Sequence, residues 1–486
     1  MSKEILNLEP KAVWKHFYAL TQIPRPSKHE NAVVDYIVKF GKKLGLETVV
    51  DDVQNVVIRK PASPGMEKRK GVILQGHLDM VPQKNSDKKH NFEKDPIEAY
   101  VDGEWVTANG TTLGADNGIG VAAAMAVLED KSLVHGPIEA LFTIDEETGM
   151  TGAFGLKPKF LKGDILMNLD SEDEGELYVG CAGGLDANIS FSYKTEPVPQ
   201  AFSFAKISLT GLKGGHSGLD INTGRANSIK LLFRFLHHIE KQLGARIASI
   251  DGGSLRNAIP REAFAVIGVP TSNFSKLEKE AKLYLNIYRN ELSAVEPSLS
   301  LKIEKAPKPK SVINARAQFK IIRAILSCPN GTIRMSDSMP GLVETSTNLA
   351  RVFTDGKKFV AQCLLRSSVD SAKEDLAQNV VSVFELAGAK VSLSGAYPGW
   401  KPNMQSPILK TMSEVYSSKF GKVPDIKAIH AGLECGLIGG VFPSLDMISF
   451  GPTIRNPHSP DEKVKIDTVG MFWKFLVEVL KKVPVK

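Results

Sequence analysis

Apolar and polar positions in the first part of the chain alternate between short apolar runs and longer amphipathic stretches. Val13, Trp14, Phe17 and Tyr18 share one face of an opening helix, because apolar residues three and four positions apart are typical of a helix packed against a core. Short apolar runs bounded by polar or glycine residues predict buried strands. These runs lie at 56–58, 72–74, 138–144 and 165–169.

Two further helices are predicted around these runs. Ser27 and Glu30 form a Ser-x-x-Glu capping box, which predicts that a helix begins there and continues to about Gly45. An alanine-rich helix is predicted from Asn117 to about Leu128, and its composition indicates burial against a sheet. Strands that alternate with helices of this length predict an α/β layered domain with a mainly parallel sheet.

The pattern changes after position 184. The segments FAKISLTGL, FAVIGVP, LSLKIEK and KFVAQCLLRSS have the composition of strands, and helical stretches lie between them at 228–241 and 275–292. This order predicts an α+β sheet domain with helices on one face. Near Trp400 the first pattern returns, with a helix at 406–420 and a strand at 445–450.

The sequence therefore predicts two domains, one inserted into the other. Residues 1–186 and 398–486 form the first, and residues 187–397 form the inserted domain. An insertion of this kind is tolerated because the ends of a domain often lie close together. The length of 486 residues agrees with two domains, since one hydrophobic core rarely extends over so long a chain.

Composition narrows the class of protein. The chain is 42% hydrophobic and 24% charged, with a net charge of +7. Its lysines cluster in short polar stretches that are typical of solvated loops. The sequence contains no basic motif interleaved with aromatic residues, so nucleic-acid binding is not predicted. No apolar run approaches the roughly 18 residues of a membrane span, and the N-terminus lacks the apolar region of a secretory signal. With four scattered cysteines, we predict a cytoplasmic protein without nucleic-acid or membrane partners.

Five candidate metal ligands each lie where a predicted strand ends or a helix begins. They are His77, Asp116, Glu147, Asp170 and His458. Ligands collect at the carboxyl ends of strands in an open α/β sheet, so these five side chains can meet at one edge. Two imidazoles and three carboxylates can hold two divalent cations if one carboxylate bridges them. The set suits zinc, with cobalt or manganese as substitutes, and a two-metal site indicates hydrolysis.

Two more acidic residues extend this constellation. Asp79 lies two positions after His77 and can orient its imidazole by accepting the second ring N–H. Glu146 precedes Glu147, and neighbouring acids can divide the work, one binding metal and the other holding the attacking water as general base. Each residue alone is ordinary in a loop or turn. Their joint placement is what indicates a site.

The ordered motifs GHLDM, GADNG, DEETG, LDSE and NPHSP closely resemble those of the M20 metallopeptidases and, within them, the aminoacyl-histidine dipeptidases. The segments YVGCAGG, KGGHSGLDIN, RNAIPREA, VETSTNLA and AIHAGLECG fit that subgroup. The resemblance extends from Trp14 to the C-terminal helix. It implies a zinc-peptidase catalytic domain with an inserted lid, and hydrolysis of dipeptides with unblocked amino termini, Xaa-His (carnosine-like) dipeptides among them.

The resemblance also implies how the ligands are shared. His77 and Asp170 would bind one zinc ion, Glu147 and His458 the other, and Asp116 would bridge the two. The peptide bond between Asp116 and Asn117 would be cis. Glu146 would be the general base, with Asp79 as the hydrogen-bond partner of His77.

For the lid, the resemblance implies substrate contacts and a homodimer formed through this domain. His216 would polarise the scissile carbonyl or stabilise its oxyanion, from its own or the partner subunit, and Asn257 would assist it. Arg366 would bind the carboxylate of the dipeptide bidentately, and Gly432 would offer backbone groups. Glu434, Ser346 and Asn348 receive no role, and His430 is left undecided.

Three alternatives are open. An N-acyl amino acid amidohydrolase or carboxypeptidase could use the same scaffold, although the subgroup segments disfavour it. A catalytically inactive binding protein could retain the fold, although decay would be expected to remove at least one ligand or Glu146. A binuclear phosphoesterase would require more basic residues near the metals than these motifs supply.

Overall fold

The computed structural model describes residues 2–486. The chain divides into two compact units. Unit 1 runs to Gly180 and also contains Trp400–Ala428 and Leu433–Lys486, while unit 2 contains Cys181–Gly399 and Ile429–Gly432. The predicted insertion thus differs by a few residues at each end, and a four-residue segment after position 428 also belongs to unit 2. The role of unit 2 as a lid and dimerisation domain stays a prediction.

Unit 1 is built on an eight-stranded mixed sheet. In spatial order its strands are Glu47–Val50, Val56–Lys60, Ile138–Thr143, Val72–His77, Ile165–Asn168, Asp446–Ser449, Glu176–Cys181 and Asp425–Ile429. The four central strands, from Ile138–Thr143 to Asp446–Ser449, pair in parallel. The pairs outside them that involve Glu47–Val50 and Val56–Lys60 are antiparallel. The sheet therefore has a parallel centre with antiparallel additions.

The central strands are buried on both faces. Every residue of Val72–His77, Ile138–Thr143 and Ile165–Asn168 is buried, which is typical of parallel strands covered by helices on each side. The α/β fold predicted from the sequence is confirmed. Among residues 2–486, no helix is both long enough and apolar enough to cross a membrane.

The helices of unit 1 include the predicted alanine-rich one. They are Lys11–Thr21, Asn31–Lys43, Ala115–Glu129, Glu146–Gly149, Thr151–Gly155, Pro407–Phe420, Glu434–Val441 and Ile466–Lys482, preceded by a 3-10 helix at Ser2–Asn7. In Ala115–Glu129 every residue except Asp116 and Glu129 is buried. Small alanine side chains allow this helix to be enclosed on nearly all sides.

The predicted capping box is wrong. The second helix begins at Asn31, and Glu30 precedes it without a capping hydrogen bond from its side chain. Glu30 Oε1 instead accepts the backbone N–H groups of Lys28 at 2.8 Å and Asp145 at 3.1 Å. Ser27 Oγ donates to Asp79 at 2.8 Å. Both side chains bind the loops after the central strands, which a local motif does not reveal.

A separate four-stranded sheet of unit 1 carries the loop of His458. Its strands, in order, are Ile454–Arg455, Lys463–Lys465, Trp105–Ala108 and Ala99–Asp102. Each neighbouring pair is antiparallel. His458 lies in the connection between the first two of these strands, so pairing on both sides fixes where its loop begins and ends.

Unit 2 contains a nine-stranded sheet. In order its strands are Ser300–Lys305, Phe202–Thr210, Ala263–Pro270, Arg246–Gly253, Val343–Asp355, Lys358–Ser367, Gly183–Ser192 and Lys390–Tyr397, with Gly331–Met335 paired to Val343–Asp355. Neighbouring strands pair antiparallel. Two-stranded pairs join Thr195–Pro197 to Ser311–Ile313 and Gly215–His216 to Ala258–Ile259.

Helices cover the nine-stranded sheet and complete its core. They are Ser228–Leu243, Phe274–Leu292, Ala315–Ser327 and Asp370–Ala387, with a 3-10 helix at Thr271–Asn273. Phe233 and Tyr288 from the helices are buried in one cluster with Ile207, Ile267 and Leu349 from the strands. Along Phe202–Thr210 the buried residues alternate with more exposed ones, so one sheet face is packed against the helices. An α+β arrangement of this kind is what the sequence predicts.

Candidate metal centre and substrate-binding residues

All five predicted metal ligands lie in unit 1 at the ends of the elements just described. His77 is the last residue of Val72–His77, Glu147 belongs to the short helix after Ile138–Thr143, and Asp170 follows Ile165–Asn168. Because these strands are parallel neighbours, their carboxyl ends meet at one edge of the sheet. Asp116 comes from the start of the alanine-rich helix, and His458 from the loop of the smaller sheet.

The ligand atoms form two groups that share Asp116. One group is His77, Asp116 and Asp170, and the other is Asp116, Glu147 and His458, with the atoms of each group within 4.8 Å of one another. His77 Nε2 lies 3.1 Å from Asp116 Oδ1 and 3.3 Å from Asp170 Oδ1. His458 Nε2 lies 3.3 Å from Asp116 Oδ2 and 2.9 Å from Glu147 Oε2. The two oxygens of Asp116 therefore face different histidines, as a bridging carboxylate requires.

The hydrogen bonding of the buried carboxylate oxygens shows whether these residues are suited to metal ions. Asp170 Oδ1 and Glu147 Oε1 are both buried; Glu147 Oε1 has no hydrogen-bond partner among the described residues, and Asp170 Oδ1 has only the contact with His77 Nε2 at 3.3 Å. A buried charged oxygen without a partner is costly, and buried charges are normally paired or coordinate metals. Imidazole nitrogen and carboxylate oxygen are ligands that zinc accepts in tetrahedral sites. The donor set and the unsatisfied oxygens thus fit a pair of divalent cations.

The pKa shifts of the ionisable groups in this centre also favour bound cations. Burial, reinforced by Asp116, raises the pKa of Asp170 to about 7 against the opposing effect of His77. Burial also raises the pKa of Glu146 well above its usual value, and Asp170 and Glu434 add to the effect. Hydrogen bonds to Asp116 and Glu147 raise the pKa of His458 to about 11. Carboxylates are crowded here in excess, and cations would relieve that crowding.

Asp79 joins His77 to the two adjacent glutamates. Its Oδ1 lies 3.3 Å from His77 Nδ1 and accepts the backbone N–H of Glu146 at 3.0 Å. Its Oδ2 accepts the N–H of Glu147 at 3.2 Å and the hydroxyl of Ser27 at 2.8 Å. Burial opposes ionisation, yet His77 and the N–H of Glu146 lower the pKa of Asp79 to about 2. Asp79 is therefore an anion that contacts both a predicted ligand, His77, and the loop of the predicted base.

Asn117, the residue after Asp116, helps to fix the loop of Asp116. The Asp116–Asn117 peptide bond is cis, which confirms that prediction. Asn117 Nδ2 donates to Leu169 O at 2.7 Å, so the loop of Asp116 is joined to the residue that precedes Asp170. Glu146 forms a third potential ligand group with His77 and Glu147, and its assignment as base rather than ligand stays a prediction.

The predicted lid residues His216, Asn257, Arg366 and Gly432 belong to unit 2. His216 pairs with Ala258 across a two-residue strand, and Asn257 O accepts the N–H of Ser217 at 2.8 Å. His216 and Asn257 are therefore neighbours. No contact in the described residues tests the predicted backbone role of Gly432.

Backbone hydrogen bonds fix the tautomer of His216. Its Nδ1 accepts the N–H groups of Gly218 at 3.2 Å and Leu219 at 3.0 Å, so in the neutral ring the proton is on Nε2. Burial and the charge of Arg366 lower the pKa of His216, which favours this neutral form. A Cβ on Gly218 would lie 2.0 Å from His430 O. That glycine therefore makes room for the protein backbone.

Arg366 is a buried cation with little compensation. It is 5% exposed, donates from Nη1 to the hydroxyl of Tyr397 at 3.2 Å, and leaves Nε without a partner. Within residues 2–486, no carboxylate forms an ion pair with it; the nearby Asp186, whose pKa its charge affects, is paired with Arg256 at 3.4 Å. An ordinary surface ion pair is thereby excluded. The unsatisfied guanidinium is suited to an anionic ligand, as a carboxylate-binding residue would be.

Sequence reasoning left several buried polar residues without a role. Glu434 accepts hydrogen bonds from Gln75 Nε2 at 2.6 Å and from Thr143 Oγ1 at 2.8 Å. Burial raises the pKa of Glu434 to about 7. His430 Nε2 lies 2.7 Å from Ser346 Oγ, and burial lowers its pKa to about 3. The motif AIHAGLECG, which contains His430 and Glu434, indicates that this segment belongs to the site. It does not predict the hydrogen-bond partners of these two residues, because the partners lie far away in the sequence.

Comparisons with known proteins agree with this geometry. Residues 73–482 match Peptidase family M20/M25/M40. The chain is 49% identical over 483 residues to the cytosol non-specific dipeptidase of Escherichia coli (strain K12), covering 99% of this chain and 100% of that protein. The crystal structure of aminoacylhistidine dipeptidase from Vibrio alginolyticus superimposes with a TM-score of 0.96 and 50% identity, with both chains fully covered. A tripeptidase from Staphylococcus aureus shares the fold, with a TM-score of 0.56, 16% identity and coverage of 98% and 99%.

Proposed function

The chain belongs to peptidase family M20/M25/M40, and we propose that it is a dinuclear zinc dipeptidase acting on dipeptides with unblocked amino termini, Xaa-His dipeptides such as carnosine included. One observation carries the proposal: two ligand groups share Asp116, whose oxygens face different histidines. Two full-length relatives at 49% and 50% identity are named as dipeptidases. The name of the Escherichia coli relative also supports a cytoplasmic location.

His77 and Asp170 would hold one zinc ion, Glu147 and His458 the other, and Asp116 would be shared by both. Bound zinc supplies a water of lowered pKa and polarises the peptide carbonyl. Cobalt or manganese could substitute, since both accept nitrogen and oxygen ligands. The sharing of Asp116 agrees with its two oxygens facing the two histidine rings.

Proton transfer is assigned to Glu146. In this proposal its carboxylate takes a proton from the attacking water and passes it to the nitrogen of the leaving amine, so that one residue acts as base and then as acid. Its burial favours a pKa well above that of a free carboxyl, and an acid that returns its proton near neutral pH requires such a shift. Asp79 holds the backbone N–H of Glu146 and thus keeps this residue in place.

Unit 2 would supply substrate contacts. The Nε2–H of His216 would donate to the carbonyl oxygen of the scissile bond, with Asn257 beside it, and Arg366 would bind the C-terminal carboxylate of the dipeptide. Gly432 would offer backbone groups. These roles, and a homodimer formed through unit 2, follow from the resemblance. The fixed tautomer of His216 supports its proposed role as a donor, and the unsatisfied Nε of Arg366 supports carboxylate binding.

A substrate panel tests the substrate assignment. Purified protein with zinc is assayed on carnosine, other Xaa-His and Xaa-Xaa dipeptides, their N-acetyl forms, tripeptides and acetylated amino acids. We expect cleavage of unblocked dipeptides alone. Glu146→Gln, assayed in parallel, controls for contaminating peptidases. Cleavage of acetylated amino acids instead would assign the protein as an amidohydrolase and overturn the dipeptidase proposal.

A further inference from the structure

Two buried charged residues outside the proposed ligand set bind the backbone of the Asp116 loop, one at a carbonyl group and the other at N–H groups. Arg25 and Glu462 are each 2% exposed. Neither is a predicted ligand, and neither belongs to a motif singled out in the sequence. Burying a charged side chain is costly unless it is well hydrogen-bonded, so the partners of these two residues indicate what they do.

Glu462 binds a run of consecutive backbone N–H groups. The donors are Leu113 at 2.8 Å and Gly114 at 2.9 Å to Oε2, with Ala115 at 2.8 Å and Asp116 at 3.2 Å to Oε1. Unpaired N–H groups where a helix begins favour a carboxylate, and here they oppose the burial that raises the pKa of Glu462 to about 7. Glu462 follows His458 by four positions in the same connection. It therefore ties the loop of one histidine ligand to the bridging aspartate.

Arg25 binds the carbonyl groups of two ligand loops. Its Nη2 donates to Gly114 O at 2.5 Å, and its Nη1 donates to Leu78 O at 2.9 Å and Asp79 O at 3.0 Å. Leu78 and Asp79 directly follow His77. The guanidinium thus joins the His77 loop to the Asp116 loop, and a planar fork of donors is suited to this geometry.

The glycines of GADNG make room for this arrangement. Gly114 has φ of 71°, a conformation that favours glycine. A Cβ on Gly114 would lie 2.6 Å from Arg25 Nη2, and a Cβ on Gly118 would lie 2.7 Å from the same atom. Both glycines of the motif therefore border the guanidinium, which explains their residue type without reference to a ligand.

We propose that Arg25 and Glu462 are positioning residues that fix the separation of His77, Asp116 and His458, and thereby the metal affinity of the centre. These three side chains come from segments far apart in the sequence. Arg25 binds carbonyl groups directly after His77 and at Gly114, and Glu462 binds the backbone of the Asp116 loop from the connection that carries His458. The inference rests on the proposed metal-dependent function, because it assigns these residues to the same centre.

Glu462→Gln tests the proposal with minimal change of shape. The amide nitrogen would face two of the four N–H donors and could not accept from them. On stripped protein reloaded by titration, we expect the zinc affinity of at least one site to fall about 10- to 100-fold, the usual cost of losing a group that orients metal ligands. The visible spectrum of the cobalt-loaded variant should change, and amide hydrogen exchange should rise at 113–116.

Glu139→Gln is the matched control. Glu139 is also buried, accepts the N–H groups of Lys162 at 2.7 Å and Gly163 at 2.8 Å, and pairs with Arg59 at 2.7 Å. It contacts no ligand loop. We expect a comparable loss of thermal stability but wild-type zinc affinity and an unchanged cobalt spectrum.

Arg25→Lys gives a second test, because it keeps Glu462 and the positive charge but loses the fork of donors. If Glu462→Gln does not fold, Arg25→Lys decides. Wild-type zinc affinity and cobalt spectrum in the folded variants would overturn the positioning role. A wild-type protein that binds two zinc ions but cleaves no dipeptide would overturn the proposed function, while the affinity comparison would still decide the role of these two residues.

Discussion

Asp79→Asn perturbs the hydrogen bonds that hold His77 and the Glu146–Glu147 pair. In the wild type, Oδ1 faces His77 Nδ1 and the N–H of Glu146, while Oδ2 accepts from the N–H of Glu147 and from Ser27 Oγ. An amide keeps one oxygen. The favourable orientation places the new NH2 group at the Oδ2 position, where Ser27 can rotate to accept but Glu147 N–H cannot.

The magnitude follows from that count. One backbone N–H loses its acceptor, which costs about 1–3 kcal/mol when the group is buried. The remaining oxygen is neutral, so it supports His77 less well as a ligand. Loss of such an orienting partner usually lowers metal affinity about 10- to 100-fold. We therefore expect a modest loss of stability and a larger loss of zinc affinity.

Calorimetric zinc titration of the stripped variant, with thermal unfolding beside it, measures both quantities. Asp51→Asn is the matched control, since Asp51 accepts the N–H groups of Val53 at 3.0 Å and Asn55 at 2.8 Å and touches no predicted ligand. The control should lose stability only. Wild-type zinc affinity in Asp79→Asn would refute the reasoning that this carboxylate orients His77.

Three further predictions follow from the site. Glu146→Gln should lower kcat about 10²- to 10⁴-fold with bound zinc unchanged by metal analysis; loss of the metals would instead mark Glu146 as a ligand. Arg366→Met should lower kcat/KM for unblocked dipeptides about 10- to 100-fold, the scale of a charged hydrogen bond, but not for dipeptide amides, and an equal loss on both would contradict carboxylate binding. Zinc affinity of the stripped protein should rise about tenfold per pH unit for each proton released. The sign follows because His458, with its pKa raised to about 11, is protonated without metal and must be neutral as a ligand. Calorimetry in buffers of different ionisation enthalpy measures this release, and a pH-independent affinity would contradict it.

The sequence predicts well that the candidate metal ligands come together, because each lies beside an element with a strong local pattern. His77 ends a buried strand, Asp170 follows another, and Asp116 begins an alanine-rich helix. Parallel strands necessarily bring their carboxyl ends to one edge, so local patterns suffice to predict that these side chains meet. The cis bond after Asp116 is predicted by resemblance, not by any local preference.

The supporting residues could not be predicted in this way. Arg25 and Glu462 bind backbone atoms of segments that are distant in the sequence, and neither backbone partner leaves a mark in side-chain spacing. The spacing of Ser27 and Glu30 predicts a helix cap, whereas their side chains bind Asp79 and the N–H of Asp145. Tertiary contacts decide such positions.

Zinc titration of stripped protein, with hydrolysis of an unblocked dipeptide measured at each step, tests the central claim most directly. The account predicts no activity without metal, and a plateau of activity when two zinc ions are bound per chain. Full activity in the metal-free protein, or no dipeptide hydrolysis with two zinc ions bound, would contradict it.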